Sequence, residues 1–252
     1  MLSKTSGIVI RNTKYGEGSV ISKIYTREFG MQSYIINGVQ SPKASIKASL
    51  LQPLMLLDLI VYHNSLKDIQ RIKEAKSNPS LPNLHFDVIK SSIGMFISEL
   101  LNKAIKEEEP NNNLFDYLSD FIVKLDNETG SLGLWPLYFM LLLTNFLGFF
   151  PSNDFDKTIN PYFDLAEGNF TSYPQKIEYS FGLPESEYFS QLLNMDLQDL
   201  ASNHIPKQIR TELLQKLILY YKLHLPDFQD IKSVEVLAGM QNIKITALIS
   251  DK

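Results

Sequence analysis

The chain has 252 residues, of which 44% are hydrophobic and 21% charged, a composition typical of a globular protein long enough to bury a core. It contains no cysteine, which excludes a disulfide framework, a cysteine-ligated zinc site and a thiol nucleophile. The net charge is −4, yet residues 1–80 carry 11 Lys and Arg against 5 Asp and Glu, whereas the rest carries 13 against 23. An excess of positive charge in one half of a chain is typical of a half that binds a polyanion. The alternative is that solvent-exposed charges are divided unevenly between the two halves by chance.

Runs of β-branched and aromatic residues predict strands at 7–12, 20–26, 31–39 and 54–62, with turn signals at 15–18 and 29–30. A fifth run, 66–75, has apolar residues spaced by three, as in a helix. We nevertheless predict a strand there, because four strands need a partner to close a barrel. The connection 40–52 is predicted to be an exposed loop or a short helix with little that would be buried.

Residues 76–83 form the clearest linker, and helical periodicity begins after it. Helices are predicted at 84–105, 114–125, 186–200 and 206–225. The very apolar stretch 132–150 is interrupted by Pro136 and Asn145 and has acidic flanks, which favours a buried helix over a membrane span. Residues 151–184 are predicted to be irregular, and 243–249 to be a strand or a tail.

The predicted fold class is therefore α+β, a five-stranded barrel (residues 1–79) followed by a mainly α-helical domain (residues 80–252). The segment Met1–Ser6 lacks the basic and apolar regions of a signal peptide, so we expect a cytoplasmic location and no membrane association.

The search for catalytic motifs favours binding over catalysis. The sequence has no phosphate-binding P-loop and no G-x-S-x-G nucleophile elbow, and the Gly16-Glu17-Gly18 segment indicates a turn rather than a dinucleotide site. Its four histidines are isolated from one another. We therefore predict that the protein is not an enzyme and has no cofactor.

Basic residues interleave with aromatic residues in the first 80 positions, as at Lys14-Tyr15 and around Tyr25. Cationic grooves with stacking rings are typical of proteins that bind single-stranded nucleic acid, and a small five-stranded barrel with this charge suggests an OB-fold. The alternative is that Tyr25 and Tyr34 are half-buried strand residues.

Ordered motifs along about residues 1–237 resemble the RecO family of recombination mediators. In the first part these are Gly7-Ile8-Val9-Ile10, Tyr15-Gly16-Glu17-Gly18-Ser19-Val20, Phe29-Gly30, Asn37-Gly38 and Leu51-Gln52-Pro53-Leu54. Further along they are Glu99-Leu100-Leu101, Leu114-Phe115-Asp116-Tyr117-Leu118, Leu147-Gly148-Phe149-Phe150-Pro151 and Lys232-Ser233-Val234-Glu235-Val236-Leu237.

This resemblance implies an OB-fold followed by a helical domain. It also implies binding of single- and double-stranded DNA, strand annealing, and work with the partner RecR to load the recombinase RecA onto DNA coated by single-strand-binding protein. Two features depart from the family. The zinc-binding cysteines that many members carry are absent from 151–184, where Phe163-Asp164-Leu165 and Gly168-Asn169-Phe170 would keep the loop's shape by packing. Val39 and Gln40 stand where arginines are frequent, so the basic role would pass to Lys43 and Lys47.

We therefore predict a DNA-binding adaptor of the cytoplasm, associated with the nucleoid. The alternative is a protein–protein scaffold that acts through the acidic helical part with little direct DNA binding. The predicted phosphate contacts are Lys14, Lys23, Arg27, Lys43, Lys47 and Arg71, and the predicted stacking rings are Tyr15 and Tyr25.

Overall fold

The computed structural model describes residues 1–41, 44–106 and 109–237. Five strands close a barrel in the order β1-β2-β3-β5-β4, with β3 and β5 parallel and the other neighbours antiparallel. The strands are β1 (Leu2–Tyr15), β2 (Ser19–Thr26), β3 (Gly30–Ile36), β4 (Leu56–Tyr62) and β5 (Ile69–Ser77). The predicted barrel is confirmed, including its fifth strand, and closure leaves no unpaired edge.

The barrel interior is filled by alternate residues of each strand, among them Val9, Ile24 and Leu59. The connection between β3 and β4 also contributes, because Ile46 and Leu51 are each only 3% exposed and belong to the same core. The short 3₁₀ helix predicted as one option is present at Ala48–Leu51. The expectation that this connection buries little was wrong, because its apolar residues complete the barrel's core.

Two helices, α1 (Val88–Ala104) and α2 (Asn112–Asn127), pack on the outside of the barrel. The α1 hydroxyl of Ser98 donates a hydrogen bond to the Ile10 carbonyl oxygen of β1, and the Phe115 ring of α2 lies 6.2 Å from that of Tyr25. The helices begin at side-chain caps, Asp87 and Asn111. Residues Met1–Glu128 thus form one compact unit. The predicted domain boundary after residue 79 lies between β5 and α1, whereas the compact unit continues to the end of α2.

The second compact unit is Thr129–Lys252, described to residue 237. Its helices are α3 (Trp135–Leu147), α4 (Glu185–Leu193) and α5 (Lys207–His224). The apolar stretch 132–150 forms the largely buried helix α3, as predicted, which ends at Gly148 with a φ of +84°. In the described part of the chain, no helix is both long and apolar enough to cross a membrane.

The segment 151–184 is more ordered than the predicted irregular loop. It forms a three-stranded sheet in the order β7-β6-β8, from β6 (Tyr162–Asp164), β7 (Asn169–Thr171) and β8 (Ser180–Phe181). The Phe163 ring packs against those of Phe170 and Phe189, at 5.0 and 4.7 Å between centroids. The Asp164 carboxylate accepts hydrogen bonds from the backbone N–H groups of the following turn. Packing therefore shapes this loop, as predicted.

The predicted helix at 186–200 is divided into α4 and a 3₁₀ turn at Leu197–Asp199, and the one at 206–225 is α5. The prediction for 243–249 concerns residues that lie outside the described part of the chain.

Candidate nucleic-acid interface

Strand register places the outward side chains of the barrel in rows. Arg11 of β1 lies opposite Lys23 of β2, which lies opposite Ser33 of β3. The neighbouring row runs from Thr13 through Ile21 and Ile35 to Arg71 of β5. Directly opposite residues in a sheet have Cβ atoms about 5 Å apart, so Arg11 and Lys23 lie close together, whereas Arg71 lies two strands away from Lys23, across β3.

Arg11 and Arg71 are exposed, Lys23 is half-buried, and Tyr15 at the end of β1 is 54% exposed. Arg11, Thr13 and Tyr15 alternate with inward positions, so Tyr15 faces outward with Arg11. We call Arg11, Lys23, Arg71 and Tyr15 the cationic face. A row of cations beside an accessible ring can hold a phosphate backbone and stack a base.

Lys14 and Lys47 are exposed but do not belong to the rows that form this face. Lys14 is opposite Val20, which packs against the barrel core, so Lys14 lies at the rim of the barrel. Lys47 precedes the 3₁₀ helix of the β3–β4 connection. Lys43 lies outside the described residues. Contacts of Lys14, Lys43 and Lys47 with phosphate stay predictions.

Arg27 is held within the first unit. Its guanidinium makes a forked ion pair with the Asp116 carboxylate, with Nη2 and Oδ2 3.0 Å apart, and lies 5.7 Å from the centroid of the Phe115 ring. Hydrogen bonding to Asp116 raises the pKa of Arg27. The Asp116 carboxylate already accepts hydrogen bonds from two guanidinium nitrogens of Arg27. A phosphate could bind the same nitrogens only by displacing Asp116.

The structure corrects the stacking role predicted for Tyr25. Its ring is 1% exposed because α2 covers this outward position of β2 with Phe115, so it offers no free face to a base. Tyr34 is 0% exposed in the barrel core, and burial raises the pKa of its hydroxyl. For both residues the alternative of strand packing is correct.

Arg11 is a member of the cationic face that was not among the predicted contacts. Val9 faces the barrel interior, and simple alternation would turn Arg11 inward as well. A bulge between Val9 and Arg11 shifts the register of β1, so Arg11 faces outward instead. The signal in the sequence is the later alternation of Arg11, Thr13 and Tyr15, which lies wholly after the bulge.

The closed five-stranded barrel, with cations on its outer surface, defines this protein as an OB-fold protein. Two family models match it, Recombination protein O N terminal over residues 1–79 and Recombination protein O C terminal over residues 85–233. The chain belongs to the RecO family of DNA repair and recombination proteins, which confirms the resemblance found in the motifs.

Several relatives carry the name DNA repair protein RecO. Those of Bacteroides fragilis and Flavobacterium psychrophilum are 37% and 36% identical to this chain over 94% of it and 98% of their own length. That of Porphyromonas gingivalis is 28% identical over 95% of this chain and 99% of its own. The similarity therefore extends through both units.

Among the described residues, no three His, Asp or Glu side chains gather in a way that could hold a metal ion.

Proposed function

We propose that this protein is a recombination mediator that binds single- and double-stranded DNA through the cationic face. In this role it anneals complementary strands and, with RecR, helps to load the recombinase RecA onto DNA coated by single-strand-binding protein. The observation that supports the DNA-binding part is the cross-strand placement of Arg11 and Lys23, with Arg71 facing outward two strands away, on the barrel of a DNA repair family.

The chemistry needed is electrostatic. Lys and Arg side chains neutralise phosphates and release condensed counterions, which gives affinity without reading sequence. Annealing then follows from shielding two strands that otherwise repel each other, and requires no bond to be made or broken. A cytoplasmic, nucleoid-associated location accords with this role.

The salt dependence of binding tests the cationic face. Changing Arg11, Lys23 and Arg71 together to Gln should make the slope of log affinity against log salt shallower by about 2 for single strands, at about 0.7 for each lost contact. Fluorescence anisotropy of a labelled oligonucleotide measures this slope for the full-length chain.

A matched control removes the same charge elsewhere on the first unit. Lys4, Lys76 and Lys124 are exposed and lie off the cationic face, so changing them to Gln should leave the slope nearly unchanged. If the slope became shallower by the same amount in both triple variants, DNA binding would be spread over the surface and the cationic face would not be the interface.

The same triple variant separates the mediator from the scaffold alternative. If it loses DNA binding, retains RecR and single-strand-binding protein in pull-downs, and also loses RecA loading, direct DNA binding is part of the function. Full RecA loading without DNA binding would instead support a scaffold that acts through its partners.

A further inference from the structure

The end of β1 is exposed to solvent on both of its faces. Residues 11–15 are all exposed, whereas a barrel strand ordinarily turns alternate side chains towards the core. The neighbouring strand β4 pairs with β1 only from Leu2 to Ile8, so this end of β1 extends beyond β4. We call residues 11–15 the ridge.

Alternation along the ridge places a cation on each of its two faces. Arg11 and Tyr15 face outward as part of the cationic face, whereas Lys14 turns to the opposite side, together with Val20. The side chains of Arg11 and Lys14 form no ion pair or hydrogen bond with another described residue. Glu17, the single carboxylate between residues 2 and 26, lies in the turn after the ridge. Both cations are therefore available to a ligand.

The side of the ridge that Lys14 faces is bordered by the connection between β3 and β4. Asn12 faces the same side as Lys14, and its side-chain amide donates a hydrogen bond to the Leu51 carbonyl oxygen. The same connection carries Lys47, an exposed cation just before the 3₁₀ helix. The hydrogen bond positions the ridge before DNA arrives, which lowers the conformational entropy lost on binding.

Two single strands that leave one duplex repel each other through their phosphates. Cations placed between them neutralise this charge and release condensed counterions. The ridge has the arrangement that such a fork needs, since it offers Arg11 and the Tyr15 ring to one strand and Lys14 to the other. A surface with cations on one face alone would bind a single strand as well as it binds a fork.

We propose that the ridge binds forked DNA, with one single-stranded arm on each of its faces. The arm on the outward face contacts Arg11 and stacks a base on Tyr15, and the other arm contacts Lys14. A fork is also the structure that two strands pass through as they anneal. The proposal rests on the proposed function, because the outward face of the ridge belongs to the cationic face.

The affinities for DNAs of equal charge test the proposal. A duplex with two short unpaired arms is compared with the same duplex carrying one unpaired arm, both with the same total number of nucleotides. We expect the full-length protein to bind the fork about fivefold more tightly, which corresponds to about 1 kcal/mol. Fluorescence anisotropy measures both affinities, together with that of a single strand.

Lys14→Gln should abolish the preference for the fork and leave the affinity for a single strand nearly unchanged. Arg11→Gln should weaken the binding of both the fork and the single strand. Lys4→Gln is a matched control at an exposed lysine near the other end of β1, and it should keep the preference. Equal affinity for the fork and the single-armed duplex, or a preference that survives Lys14→Gln, would overturn the proposal.

Crosslinking tests directly whether each face holds a different arm. Because the chain contains no cysteine, the single-cysteine variants Thr13→Cys and Lys14→Cys can each carry one photo-crosslinker, on opposite faces of the ridge. We expect the two variants to attach to different arms of a fork whose arms carry different dyes. Attachment of both to the same arm would mean that the ridge does not divide the strands. Failure of every DNA to bind would instead count against the proposed function itself.

Discussion

Tyr15 and Tyr25 lie on neighbouring strands and both face outward from the barrel, yet packing gives them different surroundings. Tyr25 is covered by Phe115 of α2, whereas Tyr15 is 54% exposed beside the Gly16–Gly18 turn. Gly16 and Gly18 have φ values of +61° and +76°, which glycine adopts without strain, so the chain reverses tightly there. Of these two tyrosines, only Tyr15 is placed to stack on a base.

Changing Tyr15 to Ala should weaken binding of single-stranded DNA, by about 1–3 kcal/mol if one base stacks on the ring. Binding of duplex should change less, because its bases are already stacked. Anisotropy with matched single-stranded and duplex probes measures both affinities. Tyr15→Phe should retain binding, since the ring remains, and Tyr173→Ala supplies a control at an exposed tyrosine of the second unit. An unchanged affinity of Tyr15→Ala would exclude stacking at this position.

At the scale of single residues, Lys23, Arg71 and Tyr15 were predicted because basic and aromatic residues interleave in the first 80 positions. The structure places all three on outward positions of the barrel, and their contacts with DNA stay predictions. The sequence could not exclude Tyr25, since the residue that covers it, Phe115, is far away in the chain. It also missed Arg11, because a bulge is a local irregularity that alternation does not reveal.

Among the elements, the helices were predicted well because an apolar stripe of period 3.6 needs only local sequence. The fifth strand was predicted against its local spacing of three, on the argument that the barrel must close. The small sheet β7-β6-β8 was missed, because its strands are two or three residues long and depend on aromatic contacts across the loop.

The contact between α4 and α5 includes a pair of carboxylates. Burial, and then a hydrogen bond with Glu212, raise the pKa of Glu185. Hydrogen bonds from Glu185 and then Gln208 lower the pKa of Glu212, and the Gln208 amide nitrogen lies 3.1 Å from its carboxylate. In the folded state Glu185 therefore holds its proton to a higher pH than it does in the unfolded chain.

The stability contributed by Glu185 is therefore present in full below its unfolded pKa and is lost as the pH rises through its higher folded pKa. Glu185→Gln supplies a permanent N–H donor to Glu212, so we expect this variant to melt at a modestly higher temperature than the wild type at neutral pH. The difference between the two melting temperatures should become smaller towards pH 4, near the ordinary pKa of glutamate. Thermal melts at both pH values measure it.

Glu187→Gln is a suitable control, because Glu187 lies on the same helix and pairs instead with Lys157, at 3.1 Å, in an exposed position. It should not reproduce the stabilisation at neutral pH. A Glu185→Gln variant that melts at the wild-type temperature at neutral pH would show that the charge of Glu185 beside Glu212 does not destabilise the fold.

For the whole molecule, the structure bears on where a folded fragment can end. Three outward residues of the barrel, Ile8, Tyr25 and Met31, are 0–4% exposed in the full chain. They lie in one row across β1, β2 and β3, and α2 covers this row at Tyr25. A barrel that ended at residue 79 would expose this apolar row to water.

Asp126 near the end of α2 also ties the linker to the helices. Its carboxylate is 1% exposed and accepts hydrogen bonds from the backbone N–H groups of Asn83 and Leu84, at 2.8 and 2.6 Å. Its carbonyl oxygen accepts one from the Lys90 ammonium at 2.6 Å. A fragment that ends at residue 128 keeps all these bonds, whereas one that ends before α2 leaves the linker N–H groups without an acceptor.

We therefore predict that residues 1–128 fold as a monomer with one cooperative unfolding transition, and that residues 1–79 aggregate or stay loosely packed. Size-exclusion chromatography and amide NMR spectra of the two fragments measure this. Since the cationic face lies entirely on the barrel, fragment 1–128 should also retain the salt-dependent DNA binding of the full chain. A monomeric 1–79 with dispersed amide signals would mean that α1 and α2 are an addition to the barrel rather than part of its folded unit.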